Sequence, residues 1–134
     1  METIKLAKEI FLKRMAKMKI SPEKTGRNFK VNQKLINVRG CDVNNKWAIN
    51  TGPGWDRIST TKFDYVVCIA LDKEKPKNNE CYIFSKDELP EFFDSRWKGA
   101  TGLKNIMLGK KDLKLKLLIK DSKENWGKIS NHKG

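Results

Sequence analysis

Apolar residues at Ile4, Ala7, Ile10, Phe11, Met15 and Met18 recur every three or four positions. Residues 3–19 are therefore predicted to form an amphipathic helix with Lys5, Lys8, Lys13 and Lys17 on its polar side. Ser21-Pro22 follows, and because a residue ahead of proline disfavours the helical conformation, the helix is expected to stop there. From Asn28 to Arg39 the pattern shortens to Phe29 and Val31, then polar Asn32-Gln33-Lys34, then Leu35, Ile36 and Val38, which predicts a two-stranded hairpin. A third short strand is expected over Lys46–Thr51, around Trp47 and Ile49, before the turn residues Gly52-Pro53-Gly54. Phe63–Leu71 is almost continuously apolar and β-branched, the pattern of a strand buried on both faces. A polar loop over Lys73–Asn79 then leads to a neighbouring strand, Cys81–Phe84.

Ser85 and Glu88 have the spacing of a capping box, which opens a helix by satisfying its free amides. That helix is expected to run through Glu91, Phe92 and Phe93 and to end before Gly99, with an irregular stretch to Gly109. Leu113, Leu115 and Leu117 alternate with Lys114 and Lys116, so Asp112–Lys120 is predicted as an amphipathic strand, with a helix on Leu113, Leu117 and Lys120 as the alternative. Ser122 is placed to cap a last short helix carrying Trp126 and Ile129, and 131–134 should fray. The order helix, strands, helix, late element gives an α+β class, an α/β sandwich around a mixed sheet.

With 134 residues, of which 38% are hydrophobic, the chain is expected to fold as one domain over 1–134. No run of eighteen apolar residues is present, and basic residues interrupt the first twenty positions, so a cytoplasmic protein without membrane partners is expected. Cys41, Cys68 and Cys81 lack any C-x-x-C spacing, and His132 is the only histidine. Neither a disulfide framework nor a zinc site is expected from that set. Phosphate-binding glycine loops, dinucleotide fingerprints and nucleophile elbows are absent from the sequence, which leaves a carboxylate-held metal as the hydrolytic chemistry to weigh.

Charge changes the picture most. The formal net charge is +13, with 24 Lys and 5 Arg. Residues 1–40 hold eleven basic and three acidic side chains, residues 104–134 hold nine and three, and the centre is close to neutral. If the two basic ends converge, they build a positive trough for a polyanion, because contacts to phosphates release condensed counterions. Excess lysine serving only solubility is the alternative.

The stretch Asn28-Phe29-Lys30-Val31-Asn32-Gln33-Lys34-Leu35-Ile36-Asn37-Val38-Arg39, followed by Phe63-Asp64-Tyr65-Val66-Val67-Cys68 and Cys81-Tyr82-Ile83-Phe84, resembles the core of the restriction-endonuclease-like, or PD-(D/E)XK, nuclease superfamily over residues 4–93. The resemblance implies a mixed central sheet flanked by helices, DNA as the partner, and catalytic positions at Asn28, Asn37 and Arg39. All three depart from the family pattern, which has an acid at the first, Asp or Glu at the second and Lys at the third. An amide offers Mg²⁺ a neutral oxygen where a carboxylate offers a charged one. Arginine stays protonated near neutral pH, so it can neutralise a phosphate but not relay a proton. Cleavage is therefore expected to be weak or lost.

Glu9 matches a helix carboxylate found in part of the superfamily, and Asp42 is a candidate displaced ligand. These two acids are the expected metal ligands if Mg²⁺ is bound at all, and without activity no cofactor is expected. The bland alternatives are a helical pair of Glu9 with Lys5 or Lys13 and a turn role for Asp42. Asp64 is expected inside a buried strand, bracing Arg57 or a backbone amide. Nucleic-acid contacts are assigned to Lys8, Lys13, Arg14, Arg27, Lys30 and Arg39 near one end and Lys110, Lys111 and Lys114 near the other. Trp47 and Trp55 are candidates to stack on bases, while Trp97 and Trp126 belong to the core. Three functions follow: a DNA-binding domain without a cutting centre, an active Mg²⁺-dependent endonuclease of a restriction or repair system, and a metal-independent RNA-binding or RNA-cleaving toxin-like protein. A homodimer suits a fold that must reach both strands.

Overall fold

The computed structural model describes residues 2–26, 28–43, 49–50, 63–88, 105–106 and 113–130. Helix α1 (Glu2–Lys17) is followed by strands β1 (Glu23–Thr25), β2 (Asn28–Val31), β3 (Lys34–Asp42) and β4 (Ile49–Asn50). Then come β5 (Tyr65–Leu71), β6 (Glu80–Ser85), β7 (Asn105–Ile106) and helices α2 (Leu113–Ser122) and α3 (Gly127–Ser130). Five strands make one mixed sheet in the order β1-β2-β3-β5-β6, and β4 pairs with β7 in a separate two-stranded ladder. β1, β2 and β3 form an antiparallel meander, β3 and β5 run parallel, and β6 returns antiparallel to β5. The α+β class is therefore as the sequence predicts.

Alternation along the strands divides the side chains between two faces. Phe29, Val31, Ile36, Val38, Val67, Ile69, Leu71, Cys81 and Ile83 pack with Ala7, Phe11 and Met15 of α1 and with Ile129 of α3. Cys41, Val66, Cys68, Ala70, Tyr82 and Phe84 pack on the opposite face with Ile119 of α2. β5 is buried from Val66 to Leu71, because it has a strand on each side and a helix layer over each face.

The helix start of the sequence pattern holds, but Pro22 is not what stops α1. Lys19 adopts φ +59°, and the Ile20 amide donates back to the Met15 carbonyl at 2.9 Å. This left-handed cap closes the helix three residues before the proline. The hairpin turns through Asn32 and Gln33, both with positive φ (50° and 68°), as a two-residue turn matched to strand twist requires. Gln33 bears the penalty for a side chain in that region, about 1–2 kcal/mol, and glycine returns part of it as unfolded-state entropy. Gln33→Gly should accordingly stabilise the fold by about 0.5 kcal/mol, read as a higher urea midpoint at an unchanged slope, and an unchanged or lower midpoint counts against the turn assignment.

The expected strand over Asp112–Lys120 is a helix instead. Ile119 and Ser122 are buried and Leu118 is half-buried, whereas Leu117 is 60% exposed, so the helical repeat decides the buried face and the Leu-Lys alternation is incidental. Ser122 does not cap the last helix. It ends α2, fully buried, and its hydroxyl accepts a hydrogen bond from Lys128 Nζ at 3.0 Å. Lys128 also donates to the Ile83 carbonyl and to Glu88, each at 2.9 Å, tying the C-terminal segment to the edge of β6. Half of the predicted capping box is present, since the Ser85 amide donates to Glu88 Oε1 at 2.8 Å. Burial raises the Glu88 carboxyl, but the Ser85 amide and the Lys128 ammonium outweigh it and hold the group below its ordinary range. The helix expected after Glu88 lies outside the described residues.

Candidate nucleic-acid interface

Asn28 and Asn37 are direct partners across the β2–β3 hairpin, because Phe29 pairs with Ile36 in the register. Phe29, Ile36 and Val38 face α1, so Asn28, Asn37 and Arg39 all point from the other face of the sheet. There they are bonded in series. Asn37 Nδ2 donates to Asn28 Oδ1 at 2.8 Å, and Arg39 Nε donates to Asn37 Oδ1 at 3.0 Å. All three are half-buried.

The direction of this chain is forced by chemistry. A guanidinium has only donors, so Asn37 must turn its oxygen to Arg39, which leaves its amide NH₂ for the oxygen of Asn28. Both amide oxygens are engaged by donors, and a fixed cation stands beside them. That donor set does not fit a divalent cation, which takes negatively charged or unengaged oxygens.

The acids do not repair this. Glu9 is exposed on α1 and lines a recess of about 360 Å³ with Ile10, Lys13, Asp72 and Asn79, on the side of the sheet opposite the asparagines. Asp42 is exposed at the end of β3 and lines a separate recess with Asp72 and Lys75. Among the described residues no group of three or more acidic, cysteine or histidine side chains is arranged to hold a metal. The expected pairing of Glu9 and Asp42 with the motif positions is thus not assembled.

The basic residues are likewise divided. Lys8 and Lys13 lie on α1, and Lys30 and Arg39 lie on the opposite face, where Lys30 is half-buried on β2. Arg14 is engaged in the fold through Glu124 at 3.2 Å. Lys114 belongs to α2, which covers the same face as Arg39, next to the exposed Lys116 and Lys120. Arg27, Lys110, Lys111, Trp47, Trp55 and Trp97 lie outside the described residues, as does His132. The two ends of the chain do meet, but at α3, where the Phe11 and Trp126 rings stand 6.2 Å apart. Helices α1 and α2 cover opposite faces of the sheet, so the described lysines form two basic surfaces and not the single trough that the sequence suggested.

Asp64 departs from its expected place. It is exposed, just ahead of β5, and its Oδ2 accepts the Leu35 amide at 2.8 Å while its own amide donates to the Leu35 carbonyl. It braces the parallel β3–β5 junction through a backbone amide, one of the two roles predicted for it. The three cysteines are free and buried as expected. Burial, then the carboxylate of Glu124, pushes the Cys81 thiol up to about 12, and burial raises Cys68 further despite the opposing pull of Arg39. Neither is a reactive thiolate near neutral pH.

Among the described residues no helix is long and apolar enough to cross a membrane. No family model matches the chain, and comparison with curated proteins and with solved structures returns no match.

Proposed function

We propose that this chain is a DNA-binding domain of restriction-endonuclease-like architecture in which cleavage is weak or lost. The observation that carries this reading is the series Asn28–Asn37–Arg39 on one face of a mixed sheet. The three positions that the sequence resemblance assigns to metal-assisted cutting touch one another, and together they carry one positive charge and no negative one. Such a set attracts a phosphate and repels a divalent cation. The mixed sheet with helix layers on both faces supports the fold half of the reading. The net charge of +13 supports the partner half.

Duplex binding followed by gel shift across a salt series tests the reading, with plasmid, linear and single-stranded substrates incubated in parallel with Mg²⁺, Mn²⁺ or chelator. The expected result is a shift at low salt whose logarithmic affinity falls by about 0.9 per decade of salt for each phosphate engaged, with no cuts. A missing shift or a flat salt response overturns the binding. Metal-dependent cuts that vanish in Glu9→Ala or Asp42→Ala favour the active endonuclease, and cleavage persisting in chelator favours the metal-independent nuclease.

A further inference from the structure

Arg39 is not simply a basic residue near a degenerate motif. Its Nε, the nitrogen nearest the chain, is bonded to Asn37, and Asn37 is bonded in turn to Asn28 on the neighbouring strand. A guanidinium fixed at Nε has its plane set, and its two Nη nitrogens form the edge farthest from that anchor. That edge matches a phosphate oxygen pair, which is why arginine suits bidentate recognition of phosphates. The anchor is rigid because both asparagines sit on paired strands at directly opposed positions. A side chain held this way loses less freedom on binding than an exposed lysine does.

The surroundings favour an anion. Cys68 is Arg39's lateral partner on β5, and it is a buried thiol that stays neutral. Partial burial raises the strength of charge interactions over those in bulk water. Lys30 projects from the same face four residue positions along the hairpin from Arg39, since it pairs with Leu35. That offset is about 13 Å at the rise of a strand, so Lys30 reaches a different phosphate.

We infer that Arg39, oriented by Asn37 and through it by Asn28, is the binding site for one backbone phosphate of DNA and works without a divalent cation. The inference rests on the DNA-binding reading above and adds the residue, the ligand group and the absence of a metal requirement. Asn37 and Asn28 are positioning residues, since they act through the arginine.

The test is fluorescence anisotropy of a labelled duplex in chelator, over a salt series, with the full chain and with Arg39→Gln, Arg39→Lys, Asn37→Ala and the double variant Asn37→Ala/Arg39→Gln. Melting of each variant is recorded alongside. Arg39→Gln should weaken binding by about 10- to 100-fold, in line with loss of a charged hydrogen bond, and should reduce the logarithmic salt slope by about one. Arg39→Lys should keep the slope and lose part of the affinity. Asn37→Ala should weaken binding with the slope nearly intact, and that weakening should vanish in the Arg39→Gln background.

Wild-type affinity and slope in Arg39→Gln overturn the inference while leaving the DNA-binding reading in place. So does an Asn37→Ala effect that persists without Arg39, or binding that disappears in chelator. No binding by the unaltered chain at low salt overturns both. Should Arg39→Gln fail to fold, Arg39→Lys and Asn37→Ala supply the slope and affinity comparison, and wild-type affinity in both of them overturns the inference.

Discussion

Phe11→Ala should destabilise the protein by about 3–5 kcal/mol, the range for emptying a buried aromatic site, and lower the melting temperature by ~10–20 °C for a chain of this size. Phe11 is fully buried on α1 between Ala7 and Met15. Its ring lies 5.2 Å from Phe29 on β2 and 6.2 Å from Trp126 ahead of α3. Three segments distant in sequence therefore lose contact with one another when this side chain is removed. The site cannot collapse easily, because its walls are sheet residues fixed by ladders on both sides, and incomplete collapse is what drives such losses toward the upper end. Leu12 is the control. It is the next residue on the same helix, is 39% exposed, and as alanine should cost less than about 1 kcal/mol. Urea unfolding of both variants decides the matter, and a Phe11→Ala loss no larger than that of Leu12→Ala would falsify the placement of α1 on the sheet.

Period was enough to read the parts of the fold whose burial is one-sided and regular. In α1, Ala7, Phe11 and Met15 are buried as their spacing predicts, and β5 is buried on both faces as its unbroken apolar run requires. β1 left no such trace. Glu23-Lys24-Thr25 contains no apolar residue and lies at the sheet edge, where only backbone pairing with β2 makes it a strand. α2 was misleading for the converse reason. Leu and Lys are both good helix formers, and their alternation over 113–117 imitates a strand. Only Leu118, Ile119 and Ser122, which face the sheet at helical spacing, reveal the true period.

At the candidate site, local spacing fixed more than long-range placement did. A hairpin over 28–39 necessarily puts Asn37 and Arg39 on one face and brings Asn28 across from them, so their association follows from the turn at Asn32-Gln33. The layer on which each helix falls does not follow from spacing. A helix whose apolar stripe fits a sheet can cover either face, and the division of Lys8 and Lys13 from Lys114 is a consequence of chain crossing that no local pattern encodes. Glu124 was also invisible. It is a polar residue between two short helices, and its role depends on partners 43 and 110 positions away.

Glu124→Ala should cost about 2–4 kcal/mol, most of it from hydrogen-bond donors left without their acceptor. The Glu124 carboxylate accepts the Cys81 amide at 3.1 Å, the Trp126 indole N–H at 2.8 Å and the Arg14 guanidinium at 3.2 Å. Its own amide donates to the Cys81 carbonyl at 2.7 Å. One residue thereby joins α1, the edge of β6 and the start of α3. The ion pair is the smaller part, because Arg14 and Glu124 are each about a third exposed, and such pairs contribute under about 1 kcal/mol. Arg14→Ala should accordingly cost much less than Glu124→Ala. The backbone supplies an independent check. Glu124 has φ +52°, a region that penalises any side chain by about 1–2 kcal/mol and glycine hardly at all. Glu124→Gly loses the same three acceptor bonds as Glu124→Ala but relieves the strain, so it should be the milder change by about 0.5 kcal/mol after the extra freedom of glycine in the unfolded chain is counted. Denaturant midpoints for the three variants measure each difference. If Glu124→Gly is clearly the worse of the two, the left-handed turn is not what holds the carboxylate in place, and if Arg14→Ala equals Glu124→Ala, the charge pair rather than the buried amide is what this residue serves.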